Sequence, residues 1–192
     1  GRLEGFIGEK RLHQNVLILS GARQVGKTTL LQEVLKNKNH LYINLEKTPS
    51  NAEEIDGCVD FSQFEKFLKE KHNFDHTKQI LCIDEAQQSR GLGRFVTGMK
   101  EDWEYSTVVL TGSLINELHN ETPRRPVGRE TFLNMWPMTF KEFVKARGYD
   151  SLVETMETFQ LDQEISSFEH NHFLEAFDLY LNVGGLPEIV ST

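Results

Sequence analysis

Apolar positions along the chain alternate between two rhythms. Short unbroken runs at residues 16–20 (VLILS), 41–45 (LYINL), 80–83 (ILCI) and 107–110 (TVVL) read as buried strands. A weaker fifth run, residues 132–135, stops before Pro137. Between the runs the spacing turns helical. Residues 27–36 put Leu30, Leu31, Val34 and Leu35 on one face, and residues 61–71 do the same with Phe61, Phe64, Phe67 and Leu68. Asp60 suits the N-cap of the latter helix. Residues 95–103 also read as helix, as do residues 139–146, where Thr139 and Glu142 have the spacing of a capping box. From about Leu152 the chain looks helical again, with Phe173, Phe177 and Tyr180 expected to share one apolar face with Leu174 and Leu181. Gly184 and Gly185 stop that helix before Pro187. Fully apolar strands alternating with amphipathic helices predict an α/β fold, a parallel sheet covered on both faces. The expected division is a core over residues 1–148 and a helical lid over residues 149–192.

Composition changes this picture in one respect. The 192 residues are 38% hydrophobic and 26% charged, with 21 Lys+Arg against 29 Asp+Glu. From Tyr149 to Thr192 there are nine acids and no Lys or Arg, which leaves 20 acids and 21 bases in the first 148 residues. The core is therefore near neutral and the lid acidic, a poor profile for non-specific nucleic-acid binding. Two cysteines, Cys58 and Cys82, exclude a disulfide framework, and Cys82 lies within an apolar run as a small hydrophobe. The longest unbroken apolar runs have four residues, against about 20 for a membrane span. No basic-then-apolar leader opens the chain, so a cytoplasmic location is expected. The first residue is Gly rather than Met, so the chain is expected to be a trimmed piece of a longer one.

Three segments carry chemistry. Gly21-Ala22-Arg23-Gln24-Val25-Gly26-Lys27-Thr28-Thr29 satisfies G-x-x-x-x-G-K-[ST] and sits between a predicted strand and a predicted helix. Its glycines let the backbone wrap a phosphate, and its amides and the helix N-terminus face the anion. Lys27 is the candidate for the β- and γ-phosphates and Thr28 for Mg²⁺. The second segment ends the third strand in Asp84-Glu85. Asp84 suits a metal-bound water opposite Thr28, and Glu85 suits orienting or deprotonating an attacking water. In the third, the fourth strand ends in Thr111-Gly112-Ser113. Either Ser113 or Thr111 is placed to contact a γ-phosphate or the water, if ligand lies off the strand C-termini.

These segments in this order resemble the AAA+ branch of P-loop ATPases: Walker A, Walker B and sensor 1. Gly128-Arg129, Trp136-Pro137-Met138-Thr139-Phe140-Lys141-Glu142-Phe143 and Tyr180-Leu181-Asn182-Val183-Gly184-Gly185-Leu186-Pro187-Glu188 narrow the resemblance. Together they are similar to a prokaryotic AAA+/STAND-related family in which a C-terminal, often nuclease-like domain follows the ATP-binding domain. The resemblance implies a three-layer sheet in the order 5-1-4-3-2 and ATP with Mg²⁺ as ligands. It implies Lys27 and Thr28 at the phosphates and metal, Asp84 and Glu85 at the metal and water, and Ser113 or Thr111 as sensor. Pro187 would lie near adenine. Arg129 matches the family position for a charge-stabilising arginine, and Arg124 and Arg125 compete with it. Ala22 stands where relatives commonly have Pro.

The reading these residues favour is Mg²⁺-dependent ATP hydrolysis coupled to a C-terminal domain or protein partner, with a homo-oligomer among the assemblies implied. Two alternatives share the same loop: a nucleotide-gated switch exchanging ATP and ADP with little turnover, and a DNA-processing ATPase. Other patterns read as structural. Gly91, Gly93 and Gly98 read as a loop and helix start. Glu169, His170, His172 and Glu175 read as a solvated helix, since residues two apart face different ways. Trp103 and Trp136 read as packing residues.

Overall fold

A computed structural model describes residues 2–8, 15–103, 105–113, 130–160 and 164–190. Contacts divide the chain into two units. One holds Gly1–Gly21 and Lys27–Met135, the other Ala22–Gly26 and Trp136–Thr192.

The first unit runs α1 (Arg2–Gly8), β1 (Val16–Gly21), α2 (Lys27–Leu35), β2 (His40–Asn44), α3 (Pro49–Gly57), α4 (Phe61–His72), β3 (Ile80–Asp84), α5 (Val96–Glu101), β4 (Val108–Gly112) and β5 (Glu130–Met135). Short 3₁₀ turns cover Ala86–Gln88 and Leu92–Phe95. The five strands form one parallel sheet in the order β2-β3-β4-β1-β5, as the resemblance implied. Alternate side chains of each strand feed opposite faces. Val16 and Ile18 of β1, Leu81 and Ile83 of β3, and Val108 and Leu110 of β4 join Ile55, Phe64, Leu68, Met99 and Trp103 in one core. Leu17, Leu19, Cys82 and Val109 point the other way, onto Leu3 and Phe6 of α1 and Leu31 and Leu35 of α2. Burial on both faces is why these strands carry no polar alternation. The helix expected over residues 95–103 is shorter: a 3₁₀ turn leads into α5, and Trp103 follows it, buried among aromatic rings. Asp60 caps α4, its side chain accepting from the Gln63 amide.

The second unit continues with α6 (Phe140–Ala146), α7 (Asp150–Thr158), α8 (Ser167–Val183) and α9 (Pro187–Val190). Phe143, Val144, Leu152, Ala176 and Val190 form its core. Thr139 and Glu142 make the expected capping box on α6, and Ser166 and Glu169 make a second on α8. Two sequence-defined segments meet here. The Met138 amide donates to the Gly185 carbonyl at 2.7 Å, and the Tyr180 hydroxyl donates to the Met138 carbonyl at 2.9 Å. A β-carbon on Gly185 would overlap the Met138 backbone, so this position admits only glycine.

Neighbours cover only part of the apolar face that Phe173, Phe177, Tyr180, Leu174 and Leu181 share on α8. Phe173 and Tyr180 pack on the core with Leu179 and Val183, while Leu174 and Leu181 are 52% and 63% exposed. At 100° per residue the apolar positions span more of the helix than its neighbours cover. Trp136, read as a packing residue, is 74% exposed.

Candidate active site

All five strands are parallel, so their C-terminal ends share one edge of the sheet. The registers place Asn44 beside Asp84, Ser20 beside Gly112 and Gly21 beside Met135 along it. Open parallel sheets bind ligands in this position, where strand order reverses.

The chain leaves β1 at Gly21, turns through Ala22–Gly26 and enters α2 at Lys27. The turn is left-handed at Gln24 (φ 63°) and Gly26 (φ 93°), and glycine makes the latter free of strain. Ala22, Arg23, Gln24 and Thr29 are exposed, whereas Val25 is buried. Lys27 is only 5% exposed, and its ammonium donates to the Gly21 carbonyl at 2.9 Å. A buried ammonium is costly unless paired, so its charge is held at the loop instead of extending into solvent.

Thr28 meets Asp84 across 56 residues of sequence, its hydroxyl donating to Asp84 Oδ2 at 2.8 Å. Asp84 is fully buried at the end of β3. The same oxygen accepts from the Tyr42 hydroxyl at 2.5 Å and from Asn44 Nδ2 at 3.2 Å, while Oδ1 accepts from the Glu85 amide at 3.0 Å. These four donors make burial of the carboxylate tolerable. Burial, and then the hydrogen bond to Asp84, push the Tyr42 phenol well above the ordinary tyrosine range, so it donates here as a neutral hydroxyl. Sequence reasoning missed Tyr42 and Asn44. Their signal is the two-residue period of β2, which puts both on the sheet face where Asp84 ends its strand.

Glu85 follows with φ 53° and ψ 45°, a left-handed conformation that costs a non-glycine residue on the order of 1 kcal/mol. Its carboxylate accepts from Gln87 Nε2. The segment beyond is pinned: Ser89 is fully buried, its hydroxyl donates to Asp56 Oδ1 at 2.6 Å, and that oxygen also accepts from the Gly91 amide at 2.8 Å. Thr111 Oγ1 on β4 and Ser113 Oγ just beyond it are buried without a hydrogen-bond partner, and so is Gln87 Oε1. Three orphaned polar atoms near the buried Asp84 are unusual, because buried polar atoms are nearly always paired.

Arg129, Arg124, Arg125 and Gly128 fall outside the described residues. Pro187 opens α9 in the second unit. Among the described residues no group of three or more His, Cys, Asp or Glu side chains is placed to hold a metal, so His170 and His172 form no such site. Hard oxygen donors do converge at Thr28 and Asp84, a set suited to Mg²⁺, which takes one or two protein oxygens and completes its shell with phosphate and water. A cavity of about 480 Å³ beside α4, lined by Glu65, Lys69, Phe74, His76 and Trp103, is a weaker candidate. Several of its groups are already engaged: Trp103 Nε1 donates to Glu65 at 2.6 Å, and the His76 ring stacks on Trp103. No helix among the described residues is long and apolar enough to cross a membrane.

Comparison with known proteins agrees with the fold. An uncharacterized protein of Haemophilus influenzae is 29% identical over 144 residues, 71% of this chain and 34% of the relative. A Walker-type ATPase of Pyrococcus abyssi superposes with a TM-score of 0.59 at 18% identity, covering 98% of this chain and 64% of that one. A STAND signal-transduction ATPase of Pyrococcus horikoshii, with a tetratricopeptide repeat sensor, gives 0.50 at 15% identity, covering 98% and 28%. These two likenesses are of fold. The chain spans 34% and 37% of the lengths of the curated relatives it matches. The model of the AAA domain family matches residues 13–144, more than half of the sequence, and the chain belongs to that family.

Proposed function

We propose that this chain binds ATP with Mg²⁺ over the loop from Gly21 to Thr29 and hydrolyses its γ-phosphate. The observation that carries the reading is the 2.8 Å bond between the Thr28 hydroxyl and the buried Asp84 carboxylate. It joins the helix-starting hydroxyl of a phosphate loop to the acid at the end of β3, two strands away from β1 in the sheet, the pairing a Mg²⁺-nucleotide site needs.

The roles follow from the chemistry. The left-handed turns at Gln24 and Gly26 support a loop whose amides converge on phosphate oxygens. The Lys27 ammonium balances charge on the β- and γ-phosphates. Thr28 and Asp84 would hold Mg²⁺, which when bound neutralises phosphate charge. Glu85 orients the attacking water and takes one of its protons. The water oxygen bonds to the γ-phosphorus as the bond to the β,γ-bridging oxygen breaks, and ADP departs with inorganic phosphate. The unpartnered hydroxyls of Thr111 and Ser113 support a sensor at the γ-phosphate, filled by either. Arg129, with Arg124 and Arg125 as competitors, is proposed to stabilise transition-state charge within the chain or from a neighbouring copy. Pro187 is proposed beside adenine. The acidic segment 149–192 is proposed as a lid that couples nucleotide state to a C-terminal domain or a partner.

Calorimetry with ATP and Mg²⁺ tests the binding step. Wild type is expected to release heat, and Lys27→Ala to weaken affinity by about 100-fold, the equivalent of roughly 3 kcal/mol. No heat from wild type, or unchanged affinity in Lys27→Ala, overturns the reading. Phosphate release tests the chemistry. Glu85→Gln is expected to keep ATP bound and to lower turnover by about 10² or more. Tight binding with no release by wild type would identify a switch instead.

A further inference from the structure

We propose that Gln87 is a further catalytic residue: its amide steadies the Glu85 carboxylate through Nε2 and offers Oε1 to the water that attacks the γ-phosphate. This rests on the reading of Glu85 as the water-activating base.

The orientation of the amide is fixed by chemistry. An ionised Glu85 carboxylate only accepts hydrogen bonds, so the Gln87 nitrogen must face it. The Gln87 oxygen therefore points away from Glu85, and it is buried there without a partner. Its position is set by the end of β4. A β-carbon on Gly112 would overlap Gln87 Oε1, so glycine at this position is what lets the amide lie against the end of the strand. The φ of Gly112 is not in the left-handed region, so the side-chain approach accounts for the glycine and backbone torsion does not. Glu85 itself is held in a left-handed conformation, and the 3₁₀ turn Ala86–Gln88 is tied down behind it by Ser89 and Asp56. Base and amide are thus both presented on a rigid bend.

A water donating one proton to Glu85 and the other to Gln87 Oε1 keeps a lone pair free. That is the state required for in-line attack, because both protons are directed away from phosphorus. One proton passes to Glu85 as the new P–O bond forms, and the other stays on the product phosphate. An unpaired amide oxygen of this kind is otherwise a net cost, which a purely structural glutamine would have no reason to carry.

The test compares Gln87→Ala, Gly112→Ala and the double variant with wild type and Glu85→Gln. Gln87→Ala is expected to bind ATP with Mg²⁺ within about twofold of wild type and to lose about 100-fold in kcat, with little change in KM. It is also expected to stop trapping ADP with aluminium fluoride, which mimics the hydrated transition state, while still trapping ADP with beryllium fluoride, which mimics bound ATP. Gly112→Ala displaces the amide and should show the same pair of effects. The double variant should be no slower than either single, since both remove one function. If Gln87→Ala turns over within twofold of wild type and still traps aluminium fluoride, the inference is wrong. If wild type neither binds nor hydrolyses ATP, or Glu85→Gln is as fast as wild type, it is the underlying ATPase reading that fails.

Discussion

Asp84 shows how much a single buried carboxylate demands of its neighbours. One oxygen takes three side-chain donors, from Thr28, Tyr42 and Asn44. Thr28 is the one whose oxygen is also proposed to meet the metal, so the Tyr42 hydroxyl is left to fix the rotation of the carboxylate. Tyr42→Phe keeps the ring and removes only that donor. It is expected to raise the Mg²⁺ concentration for half-maximal turnover by about 10- to 100-fold, the usual effect of losing a group that orients a metal-site residue. Nucleotide affinity in EDTA should stay at the wild-type value, and an unchanged Mg²⁺ requirement would remove Tyr42 from the site. The residues named by motif, Lys27, Thr28, Asp84 and Glu85, were legible because their spacing and strand-end positions leave few other uses. Tyr42, Asn44 and Gln87 were not. Each meets Asp84 or Glu85 through sheet register or a turn, and a single sequence carries no record of that proximity.

At the scale of elements, β1, β3 and β4 were readable because burial on both faces forces unbroken apolar runs. α3 went unread: its sequence PSNAEEIDG offers only Ala52 and Ile55 as apolar anchors, and both are buried in the first unit's core. Tertiary packing, more than periodicity, makes that helix. The second unit reverses the lesson, since α8 carries more apolar residues than its core can use. Leu174, 52% exposed on α8, should tolerate Leu174→Gln within about 0.5 kcal/mol. Leu152 is 2% exposed, and Leu152→Ala should cost about 2–5 kcal/mol. Thr139 holds both halves of the α6 capping box, with its hydroxyl accepting from the Glu142 amide and the Glu142 carboxylate accepting from the Thr139 amide at 2.8 Å. Thr139→Ala is expected to cost about 1 kcal/mol. Urea unfolding checks all three, and equal losses at Leu174 and Leu152 would contradict the core assignment.

For the whole molecule, charge and titration set the conditions under which the fold persists. Net −8, with nine acids and no bases beyond Tyr149, predicts no salt-sensitive shift of duplex DNA by this chain at physiological ionic strength. A mobility shift that weakens steeply with salt would revive the DNA-processing alternative. Titration bounds stability on both sides of neutrality. Burial, and then the charge of Lys71, hold the His72 imidazole below the ordinary histidine range, although Glu54 opposes them. Its Nε2 is buried without a partner, and Phe67 meets the ring edge-on. In the unfolded chain His72 takes a proton near pH 6.5. Below that pH the unfolded state binds more protons than the folded one, so stability falls as pH falls. Cys58 supplies the opposite arm. Burial raises its thiol, with Glu54 and Asp60 adding to the rise and Arg94 opposing it. Unfolded thiols ionise near pH 8.5, so above that value the unfolded state has lost a proton the folded state keeps, and stability falls as pH rises. Urea midpoints should therefore peak between about pH 6.5 and pH 8.5. His72→Gln should flatten the acid side without altering the alkaline side, and Cys58→Ala should lessen the alkaline loss without altering the acid side, the rest of that loss belonging to the Cys82 thiol, which burial also raises. A variant whose midpoints change by the same amount at every pH would show that its side chain contributes packing alone.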